Sequence, residues 1–479
     1  MSVQLKPYPE YKDSGLHWLG RIPRHWEEKR AKYFFREVDE RSGTGEEELL
    51  SISHLTGVTP RSQKNVTMFK PESYVGHKLC QPADLVINTM WAWMAALGVA
   101  EQTGIVSPAY GVYRPIDQRV FISEYLDRLL RTQPYQSEYW CRSTGIRSSR
   151  LRLYPEEFLK IPIACPPREE QARMLSFLSI KNRTIRHLIR AKQRLMGLLN
   201  EQKQAIIHSA VTRGLDPNVH LKPSGVEWLG DIPKHWDEMS LGRCLRRIDQ
   251  GWSPVADEGE TTPDQWVVLT LSSVKQGLFN AAKIKPVPVF ARIPDGIEVK
   301  DGDLLLTRSN TRELVGDVCI VQGARPKTVI CDLIYRLTPE PTLFDRCFLM
   351  FQLLSPVGRR QIERDARGSS GTMPKIAQRH IRSWRVVVPP LEEQRGIVEA
   401  IEDAAHNVND ALKRAKTEIS LLREYRTRLI ADVVTGKLDL RHPKLPELEG
   451  SVEVDALEGQ VEEEFDEDSI PEEALDAVD

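Results

Sequence analysis

The chain reads as an α+β protein: two mixed α/β domains and two long coiled-coil helices, with the second half repeating the first. Three observations predict this. The phrase Ser14-Gly15-Leu16-His17-Trp18-Leu19-Gly20-Arg21-Ile22-Pro23-Arg24-His25-Trp26 returns later as Ser224-Gly225-Val226-Glu227-Trp228-Leu229-Gly230-Asp231-Ile232-Pro233-Lys234-His235-Trp236. The stretch 166–216 returns as 389–439, with no residue gained or lost. Between phrase and helix the halves diverge, and the second variable region is the longer of the two. Self-similarity on this scale outranks any local reading.

The first domain spans residues 1–165. Its Pro-rich opening carries Trp18 and Trp26, and the second copy carries Trp228 and Trp236. Such aromatics anchor an entering segment by tucking into a core, and a surface that reads different targets has no reason to repeat. Asp84 to Thr89 and Asp303 to Arg308 each read as a turn followed by a short buried strand. Gly111-Val112-Tyr113-Arg114 matches Leu333-Ile334-Tyr335-Arg336, and a final strand, Leu159 to Ala164 or Ser383 to Val388, leads into each helix.

The first long helix occupies 166–216 and the second 389–441. Pro-Pro suits a helix start, where missing N–H groups cost least, and the Glu-Glu pair after it faces the positive end of the helix dipole. In the second copy Val398, Ile401, Ala405, Val408, Leu412, Ala415, Ile419, Leu422 and Leu429 keep alternating three–four spacing, broken only at Arg426. That is a heptad seam. The first copy keeps it through Leu175, Leu178, Ile185, Ile189, Met196, Leu199 and Ile206, with Asn182, Lys192 and Lys203 polar. The shared register predicts that the two helices pair with each other. A helix of about 40 residues is roughly 60 Å long, the length of a spacer. Beside the first seam runs a second stripe, Met174, Phe177, Leu188, Ala191, Leu195, Leu198 and Ala205. It is wider than a helix pair needs, so a further partner helix is expected. The second domain is 217–388.

The overall charge of −2 hides an asymmetry. Residues 442–479 hold one lysine against fifteen acids, net −14, so the preceding residues carry +12. The tail reads as acidic and disordered; the basic body points toward nucleic acid. No apolar run reaches the roughly 20 residues of a membrane span, so no membrane partner is expected. Seven cysteines without a Cys-x-x-Cys pair argue against a disulfide framework and a zinc knuckle. Such cysteine usage fits a reducing cytoplasm.

Enzyme signatures are missing. Thr435-Gly436-Lys437-Leu438 lacks the upstream glycine and the hydroxyl of a phosphate-binding loop. There is no Asn/Asp-Pro-Pro-Tyr/Phe motif of an amino-methyltransferase and no glycine-rich nucleotide turn. Asp295 and Glu298 stand too close in sequence, before Lys300, for the nuclease pattern that converges on one Mg²⁺. The histidines show no metal-ligand spacing. The expectation is a chain without catalytic residues, metal or cofactor.

What remains is a set of basic, hydroxyl-rich loops. Arg142, Ser143, Arg147, Ser148 and Arg150 precede the first helix; Arg367, Ser369, Ser370, Thr372 and Lys375 precede the second, at matching places in the repeat. Arginine with Ser/Thr on a glycine-flexible loop suits phosphate contacts, with some arginines reading guanine edges. Arg308, Asn310 and Arg312 follow a buried strand, and the counterpart of that segment, around Trp91, is chemically unrelated. Divergence at equivalent positions is what two different reading heads would show, and all these residues are candidates for DNA binding.

The doubled Trp-Leu-Gly-x-Ile-Pro-x-His-Trp phrase, the doubled Pro-Pro-x-Glu-Glu-Gln helix start and the Val-Thr-x-x-Leu-Asp helix end give the chain a likeness to a known family. Over residues 1 to about 441 it resembles the specificity (HsdS-like) subunit of type I restriction–modification enzymes. The resemblance implies target recognition domains at 1–165 and 217–388, each reading half of a bipartite site in double-stranded DNA. It implies antiparallel spacer helices with a pseudo-two-fold, on which two methyltransferase (M) subunits dock, joined by two restriction (R) subunits. S-adenosylmethionine, ATP and Mg²⁺ would belong to those partners. The expected subunit-interface residues are Leu178, Ile185, Ile189, Leu195, Leu199, Ile401, Val408, Leu412, Ile419 and Leu422. The rival readings are a coiled-coil scaffold or DNA-binding protein outside restriction, and a fused methyltransferase or nuclease.

Overall fold

The computed structural model describes residues 6–63, 73–145, 151–253, 261–262, 264–366 and 373–441. The chain forms two compact units, 1–190 with 418–479 (unit 1) and 191–417 (unit 2). It passes between them only inside two helices, the central helix Arg168–Arg213 and the terminal helix Leu391–Val434. The acidic tail lies outside the described residues.

Each unit is built on a four-stranded antiparallel sheet. In unit 1 the order is Phe35–Glu37, Gly111–Pro115, Leu85–Ile87, Leu97–Val99. In unit 2 it is Leu245–Gln250, Ile334–Pro339, Leu304–Thr307, Val318–Ile320. Leu85–Ile87 and Leu304–Thr307 are buried at every position, which is why they read as continuous apolar runs rather than alternating ones. Each follows an aspartate that holds an arginine of the neighbouring strand. Asp84 pairs with Arg114, which also grips Glu40; Asp303 pairs with Arg336, which also grips Asp249. These largely buried networks hold the strand ends in place, and removing one partner would leave a buried charge unmatched. Unit 2 adds a sheet of Ile284–Pro286, Val267–Leu269 and Thr328–Val329.

The repeated phrases turn out to lock the helix starts. Trp26 and Trp236 are fully buried, while Trp18 and Trp228 pack against the cores at their edges. The Trp26 indole N–H donates to Glu170 Oε1 at 3.3 Å, and His25 Nε2 lies 2.8 Å from Glu170 Oε2. In unit 2 Trp236 donates to Glu393 at 3.0 Å, and His235 sits 2.8 Å from its other oxygen. The next residue is bound just as closely. Gln171 donates to the Pro166 and Val120 carbonyls and accepts from Ile122 N–H. Gln394 does the same with Pro389, Leu343 and Asp345. One repeated motif therefore fastens entry segment, domain and helix together.

The strand after each phrase pairs with the strand before each helix: Glu27–Arg30 with Pro162–Cys165, and Asp237–Ser240 with Arg385–Val388. Both long helices end on a glycine at positive φ, Gly214 at 75° and Gly436 at 79°, the left-handed cap that releases the chain. A Cβ on Gly436 would stand 2.8 Å from the Trp26 ring, so that position is closed to larger residues by sterics as well.

Within each unit the helix segments run antiparallel. The core of unit 1 joins Met174, Phe177 and Leu178 from the start of the central helix to Leu429, Val433 and Val434 from the end of the terminal one. The core of unit 2 joins Ile207, Ala210 and Val211 to Ile397 and Ile401. There Lys203, a polar seam residue, donates to Asn409 at 3.1 Å. No helix among the described residues is long and apolar enough to cross a membrane. All seven cysteines are free thiols.

Candidate nucleic-acid interface

In both units the residues that flank the basic loop before the long helix are bound to the end of a buried strand of the main sheet. In unit 2 the Ile376 N–H donates to the Arg308 carbonyl at 2.9 Å, and Ser309 forms a bridge with Lys375. In unit 1 the Leu153 N–H donates to the Thr89 carbonyl at 2.9 Å, and Thr144 and Arg152 close the loop by exchanging two hydrogen bonds of 3.0 Å. Leu153 and Ile376 hold corresponding positions in the repeat. The sequence showed the loops and the strands separately; the hydrogen bonds bring them to one place.

Not every candidate residue lies there free. Arg147, Ser148, Arg150, Arg367, Ser369, Ser370 and Thr372 fall outside the described residues. Arg142 is engaged in ion pairs with Glu138 and Glu157, which tie helix Gln133–Arg142 to the short helix Pro155–Phe158. The Ser143 hydroxyl donates to the Tyr139 carbonyl at 2.7 Å, closing the same helix. Trp91 is half-buried and stacks on Trp93, with ring centres 6.1 Å apart and planes 15° apart. Trp93 in turn meets Trp140 edge-on at 5.1 Å, and Trp140 is 47% exposed.

The matching place in unit 2 has different chemistry. Arg308 holds its guanidinium 5.8 Å over the Tyr335 ring. Its Nε and the buried Ser309 hydroxyl have no hydrogen-bond partner among the described residues. Asn310 is half-buried and accepts from Thr311 N–H at 2.8 Å. Arg312 and Lys375 are exposed. Asn310 also lines a cavity of about 590 Å³ with Ser253, Thr270, Ser272, Lys275 and Lys285. Those five were missed by sequence reasoning. Ser253, the stretch from Thr270 to Lys275, and Lys285 lie apart in the sequence, and none carries a motif. Hydroxyls, an amide and cations around one cleft can hydrogen-bond phosphates and base edges. An aromatic cluster can instead stack on bases or meet thymine methyl groups.

Of the helix residues assigned to subunit contact, Leu178, Ile185, Ile189, Ile401, Val408 and Ile419 are buried along the seam. Leu199, Leu412 and Leu422 are half-buried there, and Leu195 is exposed. The second stripe divides. Met174 and Phe177 join the core of unit 1, whereas Leu188, Leu195 and Leu198 are between 42% and 54% exposed. The terminal helix exposes Leu421 and Tyr425. Leu421 is the counterpart of Leu198 in the helix repeat, so both helices leave an apolar side chain open at the same heptad position. Among the described residues no cluster of His, Cys, Asp or Glu could hold a metal ion.

Comparison with known proteins places this arrangement. No protein-family model matches the chain. The specificity subunit of the type I restriction enzyme EcoEI of Escherichia coli is 28% identical over 174 residues, covering 36% of this chain and 29% of that protein. The putative type I restriction enzyme MjaX specificity subunit of Methanocaldococcus jannaschii is 26% identical over 302 residues, 62% of this chain and 63% of that one. The chain is like the specificity subunits of type I restriction enzymes. The matches span less than two thirds of the length of either of these relatives. The fold agrees. A structure solved in a study of complex assembly and conformational transition of the type I R-M system covers 87% of this specificity-subunit-like chain and 99% of its own, with TM-score 0.60 at 16% identity.

Proposed function

We propose that this chain is the sequence-specific DNA-recognition subunit of a type I restriction–modification complex. Each unit reads one half of a bipartite site, and the long helices scaffold the methyltransferase and restriction subunits. The observation that carries the reading is the repeated site with unrepeated chemistry. The segment that follows the same buried strand carries Trp91 and Trp93 in unit 1 and Arg308, Asn310 and Arg312 in unit 2. A scaffold has no need for such divergence, and two readers of different half-sites do.

The pairing seam and the exposed leucines support the scaffolding part. The seam occupies the face between the helices, and Leu195, Leu198 and Leu421 remain open to another apolar surface. Two methyltransferase subunits are the proposed occupants, with two restriction subunits joining them. S-adenosylmethionine, ATP and Mg²⁺ would be held by those partners, and this chain would supply positioning. The test is methyl transfer. The purified chain alone is expected to transfer no methyl group to duplex DNA, and to direct transfer once its methyltransferase partner is added. Robust transfer by the isolated chain would overturn the reading in favour of a fused enzyme.

A further inference from the structure

Among the described residues, the most exposed large apolar side chains sit together at one tip of unit 2. Val289 is 93% exposed and Phe290 is 91% exposed. They occupy the two central positions of a turn closed by the Ala291 N–H donating to the Pro288 carbonyl at 2.9 Å. Turn chemistry favours Gly, Pro, Asn, Asp or Ser at such positions, so neither residue is there to make the turn.

The tip is firmly mounted. Before it, Val287 is buried. Its N–H donates to the Trp266 carbonyl at 2.9 Å and its carbonyl accepts from Gln265 at 3.2 Å. After it, Ala291 and Ile293 pack against the same small core. Pro286, Pro288 and Pro294 restrict the backbone on both sides. A rigid arm thus holds two apolar side chains out in water, where they stabilise nothing within the unit.

The surroundings say what could cover them. Lys283, Lys285 and Arg292 flank the tip along the chain, all three exposed, and among the described residues none of them is paired with a carboxylate. Of the acids that follow, Asp295 is exposed, and Glu298 accepts from the Lys327 N–H at 3.0 Å, so among the described residues the three cations outnumber the one free acid. Lys285 also lines the cavity at Asn310, and four residues of chain, at most about 14 Å, separate it from Val289. An apolar protein partner would be served by an apolar rim. A rim of unpaired cations fits a polyanion whose interior is apolar, which describes stacked base pairs between phosphate backbones.

We propose that the Val289–Phe290 turn is a wedge that enters duplex DNA between two stacked base pairs beside the half-site read by unit 2. It rests on the reading of this chain as a DNA-recognition subunit and adds a way of reading. Apolar wedges unstack a step and kink the duplex, at a cost that depends on which step is opened. Phe290 would therefore contribute specificity at a position where no hydrogen bond is made, while Lys283, Lys285 and Arg292 hold the displaced phosphates.

The test uses the full chain co-expressed with its methyltransferase partner and a pool of random-sequence duplexes. The best duplex selected by the wild type is then remade with the fluorescent base 2-aminopurine at successive positions. Wild type and Phe290→Leu are expected to raise fluorescence at one step. Phe290→Ala is expected to abolish that rise and to lose roughly tenfold in affinity, with an unchanged melting temperature because the side chain packs on nothing. Equal affinity and equal fluorescence for wild type and Phe290→Ala would overturn the wedge and leave DNA recognition standing. Loss of the methyltransferase partner by Phe290→Ala with DNA binding retained would overturn it in favour of a protein contact. Failure of the wild type to select any duplex would sink the recognition reading itself, and the wedge with it.

Discussion

Replacing Gln394 by alanine should destabilise unit 2 by about 2–5 kcal/mol, and Gln171→Ala should do the same to unit 1, because each strands one buried backbone group at about 1–3 kcal/mol and two half-buried ones, which water reaches in part, at less. Gln394 is fully buried and satisfies the Pro389 and Leu343 carbonyls and the Asp345 N–H. Alanine reaches none of the three, and the space of the lost methylene and amide is left behind. The measurement is urea unfolding of the full chain, with the exposed Gln204→Ala as control. With two units, unfolding can occur in two steps, and each variant should lower the step of its own unit. A shift no larger than that of the control would show that the glutamines are not what fastens the domains to the helix starts.

Lengthening both helices by one heptad should move the two half-sites apart. The chain passes between the units only at 190/191 and 417/418, inside the helices, so we propose that these helices set the gap. Seven residues inserted at each crossing add about 10 Å at 1.5 Å per residue, equivalent to roughly three base pairs at about 3.4 Å of rise. A heptad keeps the seam facing its partner, and changing both helices together avoids forcing one to bow. Sites methylated by the variant with its partner should keep both half-sequences and gain about three base pairs between them. Retained activity with an unchanged gap would show that something other than the helices measures the distance.

How much of this was legible without a structure differs by feature. Repetition exposed the architecture: the Trp26 and Trp236 phrases read as anchors, and both are buried. Their partners did not show. Glu170 and Glu393 read only as charges facing a helix dipole. They hold the histidine and tryptophan of the phrase from 144 to 158 residues away in sequence, a pairing that no local pattern encodes. The seam was readable because its period is local. The second stripe was readable as apolar, but its division into a buried start and exposed middle depends on where unit 1 covers the helix.

The candidate interface was half legible. The loops and the divergent strand ends were found from charge and alignment of the halves. Arg142 read as a candidate for DNA binding, although Glu138 one helical turn earlier already offered it a partner. Ser253, Thr270, Ser272, Lys275 and Lys285 gather around Asn310 only through folding of the sheet that carries Val267–Leu269 and Ile284–Pro286. Val289 and Phe290 belong to no motif in the sequence, and only their exposure distinguishes them.

The claim that two units read two different half-sites is tested most directly by mapping the DNA sites methylated with the partner subunit. The wild-type chain should yield two short sequences separated by a fixed gap. Asn310→Ala together with Arg312→Ala should relax one of them, by about 1–3 kcal/mol of discrimination for each base edge no longer read, and leave the other and the gap unchanged. A single uninterrupted site, or equal relaxation of both halves by this pair of substitutions, would contradict the account.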